Sequence, residues 1–175
     1  MFSLLHVRNG LFAALLVGMA GCANTTGHAT AEGAAANNAA TSADSLAQTS
    51  WELIRWVSAA GVNRPIPHGD NGEPIQLVFL AQGHDYHVNG FSGCNRYMGN
   101  YRLQDGKLSI SLGGSTRMAC ASQERGQLEQ AYLQALADIR SFTLDSGSAP
   151  RQLTFNLKNG DVLEFARRKD PPTPQ

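Results

Sequence analysis

Three cysteines, Cys22, Cys94 and Cys120, are the residues of this 175-residue chain whose chemistry depends most on their surroundings. Cys94 sits in Gly90-Phe91-Ser92-Gly93-Cys94-Asn95-Arg96-Tyr97, with His84 and His87 upstream; Arg117 stands three residues ahead of Cys120. A thiol near a histidine could act as a nucleophile, but a reactive cysteine needs a thiolate-stabilising setting, and nothing else in the sequence marks one. Ser92 does not complete a G-x-S-x-G elbow, because the second glycine falls one position early. His84 and His87 could offer two metal ligands. Three apart on a strand, however, they point to opposite faces, and no third or fourth ligand is evident. His68 lies in a loop rich in Pro and Gly and reads as solvated. No two carboxylates form an acid/base pattern. The sequence therefore predicts no catalytic residue, no metal site and no cofactor.

Cys22 ends the run LFAALLVGMAGC, residues 11–22. Leu11 to Ala20 is apolar and Arg8 precedes it. A membrane-spanning helix needs about 20 apolar residues, whereas the core of an export signal needs about 7–15. Small residues directly before a cysteine resemble the lipobox of bacterial lipoproteins. That resemblance implies cleavage before Cys22 and acylation of the new N-terminus, so residues 1–21 are expected to be a signal peptide. Several acyl chains hold a membrane stably where one does so only marginally. Ala23, in place of the Asp that tends to retain such proteins at the inner membrane, leans towards the periplasmic side of the outer membrane.

Export bears on the other two cysteines. Lipidation of Cys22 leaves an even pair, and in an oxidising compartment Cys94 and Cys120 read as a disulfide. It would close a loop of about 26 residues, worth on the order of 3 kcal/mol in the chain-entropy account. Two buried free thiols are the alternative. Charge excludes another class of function. Removing residues 1–21 removes only Arg8, leaving 13 basic against 14 acidic residues. A near-neutral chain lacks the basic footprint that phosphate backbones demand, so nucleic acid is not an expected partner.

Residues 23–49 are Ala, Asn, Thr, Ser and Gly with almost no large apolar side chain. Such a segment cannot bury enough surface to offset its chain entropy and reads as a disordered tether, with a reach of roughly 25–30 Å. Residues 169–175, containing Pro-Pro-Thr-Pro, read as a second disordered end. Between them, 50–168 is long enough for one core. Strands are predicted at 51–57, 75–80, 86–91, 100–103, 107–112, 152–157 and 162–166. Asp105-Gly106 and Asn159-Gly160 are hairpin signals. In the second hairpin Leu153, Phe155 and Leu157 share one side, and Val162 and Glu164 oppose Leu163 and Phe165. One helix interrupts the strands: Leu128, Ala131, Tyr132, Ala135, Leu136 and Ile139 follow a 3.6-residue period, with Ser122 as N-cap and Glu124 near the positive end. A single helix among antiparallel hairpins predicts an α+β domain.

The blocks Gly93-Cys94-Asn95-Arg96-Tyr97, Gly99-Asn100-Tyr101 and Ser115-Thr116-Arg117-Met118-Ala119-Cys120, in that order, resemble the META domain family, which includes the heat-shock lipoprotein HslJ. Trp51, Glu129 and Leu136 in the helix, and the closing Leu153, Gly160, Leu163 and Phe165, fit as well. The resemblance covers most of 50–168. It implies an antiparallel, partly open β-barrel-like sheet with one packed helix, and no established reaction. It also carries loose links to stress and antibiotic tolerance, and a likeness in shape to secretin pilot lipoproteins. Pairing of Cys94 with Cys120 would bring Arg96 and Arg117 together. Each arginine reads either as structural, holding carbonyls or a carboxylate such as Glu129 or Asp138, or as a contact for an anion or peptide terminus. Asn95 and Tyr97 complete the candidate binding residues. The expected function is that of a non-catalytic, monomeric envelope lipoprotein binding an envelope partner or secretion component. The alternatives are a carrier of an acyl chain or hydrophobic peptide and a secretin-pilot-like assembly factor.

Overall fold

In a computed structural model, the described residues are 42–69, 71–145 and 149–172. The expected signal peptide, Cys22 and the tether as far as residue 41 lie outside them. Among the described residues, eight strands and one α-helix follow in the order β1 (Thr49–Val57), β2 (Gln76–Gln82), β3 (Asp85–Phe91), β4 (Arg96–Gln104), β5 (Lys107–Ser115), α1 (Gln123–Ala137), β6 (Ile139–Leu144), β7 (Gln152–Leu157) and β8 (Val162–Arg167). All pairings are antiparallel, in the order β5-β4-β3-β2-β1-β8-β7-β6. The end strands β5 and β6 approach one another without pairing, so the sheet is a nearly closed barrel. The α+β, partly open barrel expected from the sequence is the observed fold.

Alternation drives the closure. Along β4, Arg96, Met98, Arg102 and Gln104 face out while Tyr97, Tyr101 and Leu103 are buried. Along β7 and β8, Leu153, Phe155, Leu157, Leu163 and Phe165 are buried, the face the sequence predicts for both strands. The Asp105-Gly106 turn has both residues at positive φ, 51° and 71°, the left-handed conformation a two-residue hairpin requires. Bulges at Ile54 in β1 and Gly113 in β5 add curvature.

Ser122 caps α1, its Oγ accepting from Arg125 N at 3.3 Å. Leu128, Tyr132, Ala135 and Leu136 are its buried face. Ile139, predicted as the last turn of this stripe, instead begins β6, because the helix ends at Ala137. The 3.6-residue period cannot distinguish a further helical turn from a buried residue opening the next strand. β6 itself was not predicted.

The domain also begins earlier than its predicted start at Ser50. Ala43–Ser45 forms one 3-10 turn, with Leu46 fully buried and Ala43 and Thr49 nearly so. Tyr101 Oη donates to Ala43 O at 2.9 Å, Tyr86 Oη to Asp44 Oδ1 at 2.8 Å, and Trp51 Nε1 to Thr49 Oγ1 at 2.7 Å. At the other end Arg167 pairs with Asp170, Nε to Oδ1 at 2.7 Å. Lack of apolar residues marks 23–49 as tether, but Leu46, fully buried in the core cluster, brings its last part into the domain.

Two glycines exist for close approach rather than for turning. A Cβ on Gly90 would land on the carbonyl oxygen of Gln76 and come 2.7 Å from Tyr97 Oη; one on Gly99 would meet Ser111 O. The bare face of Gly90 thus leaves room for Tyr97 Oη to donate to Gln76 O at 2.9 Å. Gly90→Ala should therefore cost about 1–3 kcal/mol by overpacking, measured as a lower urea midpoint. A midpoint equal to that of the parent would show that the strands part at no cost.

Candidate functional site

Cys94 and Cys120 are joined in a disulfide, with Cα atoms 5.5 Å apart. It staples the β3–β4 turn to the segment leading into α1, the pairing expected from the cysteine count. Gly93, at φ 99°, supplies the left-handed step that aims Cys94 at Cys120. Replacing either cysteine with serine should lower stability by about 3 kcal/mol, read from the shift in thermal or urea midpoint. Equal midpoints for variant and parent would show that the polar bonds beside the bridge carry the junction.

Those bonds centre on Asn95, which is 3 % exposed. Its Oδ1 accepts from Thr116 Oγ1 and Met118 N, both at 2.8 Å. Its Nδ2 donates to Glu129 Oε1 at 3.0 Å and Met118 O at 3.2 Å, and lies 3.4 Å from Cys94 Sγ. Its backbone N–H donates to Glu129 Oε2 at 2.7 Å, and its carbonyl accepts from Ser92 N at 2.8 Å. Ser92 Oγ, fully buried, lies 2.6 Å from both Asn95 O and Glu129 Oε2 and gives its one proton to either. Asn95 thus uses every polar group it has to lock three segments together.

A second buried cluster lies behind it. Tyr97 and Tyr132 are 2 % and 0 % exposed, their hydroxyls 3.0 Å apart beside Gln76 O, their rings 5.9 Å apart edge to face. Burial, with the neighbouring hydroxyl, pushes the Tyr97 phenol well above its ordinary range, and burial does the same to Tyr132. Both are neutral structural tyrosines.

The candidate binding residues therefore part company. Asn95 and Tyr97 face inward. Arg96 is exposed; its Nη2 donates to both Glu73 oxygens, at 2.8 and 2.9 Å, and its guanidinium lies 5.8 Å from the Phe91 ring centre. Arg117 is exposed in a cleft of about 310 Å³ with Gly113, Gly114, Ser115 and Leu133. Thr116 N donates to Arg96 O, so the two arginines are close in the backbone, but neither takes Glu129 or Asp138, the carboxylates first expected for them. Glu129 belongs to Asn95 and Ser92, and Asp138 pairs with Lys158 at 3.6 Å. Arg96 meets Glu73 instead because outward alternation on β4 carries it away from the helix.

His87 Nδ1 lies 2.8 Å from Asn100 Oδ1, and His68 Nε2 lies 3.9 Å from Glu52. His84 sits at the β2–β3 turn. The sequence reading missed Glu129 as the hub. Its signal was position: three residues before buried Tyr132, it lies beside that residue on the helix surface.

The META domain profile matches residues 44–170. The chain belongs to the META domain family. The match takes in the Ala43–Ser45 turn from Asp44 onward and reaches Asp170, in agreement with the observed boundaries. The META domain here is similar to an NMR structure of a protein from Burkholderia xenovorans, with 44 % identity over 73 % of this chain and 86 % of that one and a TM-score of 0.63. A second NMR structure has 23 % identity over 72 % of this chain and 94 % of the other, with a TM-score of 0.46. No curated protein matches the chain at a significant level.

Proposed function

We propose that this META protein is a non-catalytic lipoprotein of the cell envelope, anchored through Cys22, whose domain binds another envelope component and so contributes to stress or antibiotic tolerance. One observation carries the reading: the groups that could have done chemistry are occupied in holding the fold. Cys94 is bonded to Cys120, Ser92 is enclosed, and Asn95 and Glu129 satisfy one another. What faces solvent beside them is a recognition surface. Met98 and Met118 are 66 % and 64 % exposed, and Arg117 stands next to Met118 at the glycine-rich end of β5. Exposed methionine and arginine are residue types enriched where proteins meet. A pilot-like assembly role is a special case of the same reading. The carrier alternative is less favoured, since Trp51, Phe79, Tyr101, Phe155 and Phe165 fill the barrel interior as one packed cluster.

Two measurements test this. Cys22→Ser should abolish palmitate labelling and release the protein from membranes; unchanged fractionation would refute the anchor. A photocrosslinking residue placed at Arg117 or Met118 in cells should capture a defined envelope protein. One placed at Arg102, on the outward face of β4, should not. Equal capture from both positions, or none from either, would refute the surface.

A further inference from the structure

We propose that the reduced form of this protein holds a thiophilic divalent cation, Zn²⁺ in chemical class, between Cys94, Cys120 and Glu129, and that the disulfide and the metal are alternative occupants of one junction. The donor atoms, both sulfurs and a Glu129 carboxylate oxygen, lie within 4.8 Å of one another. Tetrahedral zinc with its usual sulfur and oxygen bond lengths needs those donors roughly 3.6–3.8 Å apart. Opening the S–S bond lets the sulfurs separate towards those distances, with their Cα atoms 5.5 Å apart. A carboxylate oxygen accepts two bonds, and Glu129 Oε1 carries one from Asn95 Nδ2. The second N–H of that Nδ2 goes to Met118 O at 3.2 Å, so Asn95 would orient the Glu129 ligand and hold Met118 O beside it, as outer partners of metal sites do. The fourth position has two sources. Met118 O lies 3.9 Å from Cys94 Sγ, and water can enter through a cleft of about 280 Å³ that Cys94 lines with Phe91, Gly93 and Met118.

The chemistry balances. A dithiol reductant transfers two electrons and two protons to the bridge, becoming a disulfide itself and leaving Cys94 and Cys120 as thiols. The cation then displaces both protons and binds two thiolates and one carboxylate. Metal would in this way compete with reoxidation.

The test uses the full chain carrying Cys22→Ser, so that Cys94 and Cys120 are its two cysteines, reduced with a phosphine that does not itself supply thiols, and Cd²⁺ as probe. One cadmium per chain should bind with sulfur-to-cadmium absorption in the ultraviolet, while the oxidised protein shows none. Cys120→Ser should weaken binding by at least about 100-fold and Glu129→Gln by about tenfold, with circular dichroism reporting the fold of each. Thiol alkylation should slow when Cd²⁺ is present. Binding by the oxidised chain, affinity unchanged in either variant, or a reduced parent that is unfolded or does not bind would each overturn the proposal.

Discussion

Asn95→Ala should destabilise the domain by about 3–5 kcal/mol, the largest loss expected from any single polar substitution here. The reasoning counts orphans. Alanine leaves Thr116 Oγ1 and Met118 N without their acceptor, and Met118 O and Glu129 Oε1 without a donor. A buried polar group left unpaired costs about 1–3 kcal/mol, and water reaching the exposed residues Thr116 and Met118 recovers part of that. Urea unfolding gives the number; a loss below about 1 kcal/mol would show that the disulfide alone holds the junction. Asn95→Asp separates charge from shape. It keeps an acceptor for Thr116 and Met118 but replaces the donor 3.0 Å from Glu129 with a second carboxylate. Two carboxylates that close repel one another in a part-buried site. Asn95→Asp should therefore lose more stability than Asn95→Ala at neutral pH, read from the same urea midpoints.

Leu46→Ala should cost about 2–5 kcal/mol, as large-to-small changes at fully buried sites do. Leu46 is 0 % exposed in the main cluster, although no strand or helix contains it. A chain starting at Ser42 should consequently keep the parent's melting temperature. One starting at Ser50 should melt far lower, since it also loses Ala43 O, the acceptor for buried Tyr101 Oη. Equal melting of the two shortened chains would return residues 42–49 to the tether.

The two predictions concern places that the sequence announces unequally. Asn95 stands out by its position beside a cysteine and between glycines, although its partners do not. Leu46 stands alone in a polar, alanine-rich run, and local composition argues against burial. Hairpins were legible because Asp-Gly and Asn-Gly turns with alternating flanks act over a few residues. The start of β4 was harder to read, since Gly99 weakens the strand pattern while answering a constraint from Ser111 on a neighbouring strand. β6 was hidden because Ile139 continues the helical period.

What the sequence by itself determined were the local and countable things: the α+β class, the single capped helix, the inward faces of β7 and β8, and the pairing of two remaining cysteines. Periodicity and parity are properties of the chain alone. Only the tertiary structure decided which carboxylate serves Asn95, that Tyr97 faces Tyr132 while Arg96 turns to Glu73, and that the domain reaches back to Ser42. Those choices depend on contacts between residues up to 58 positions apart, as between Ala43 and Tyr101, which come into being only when the sheet curls towards closure.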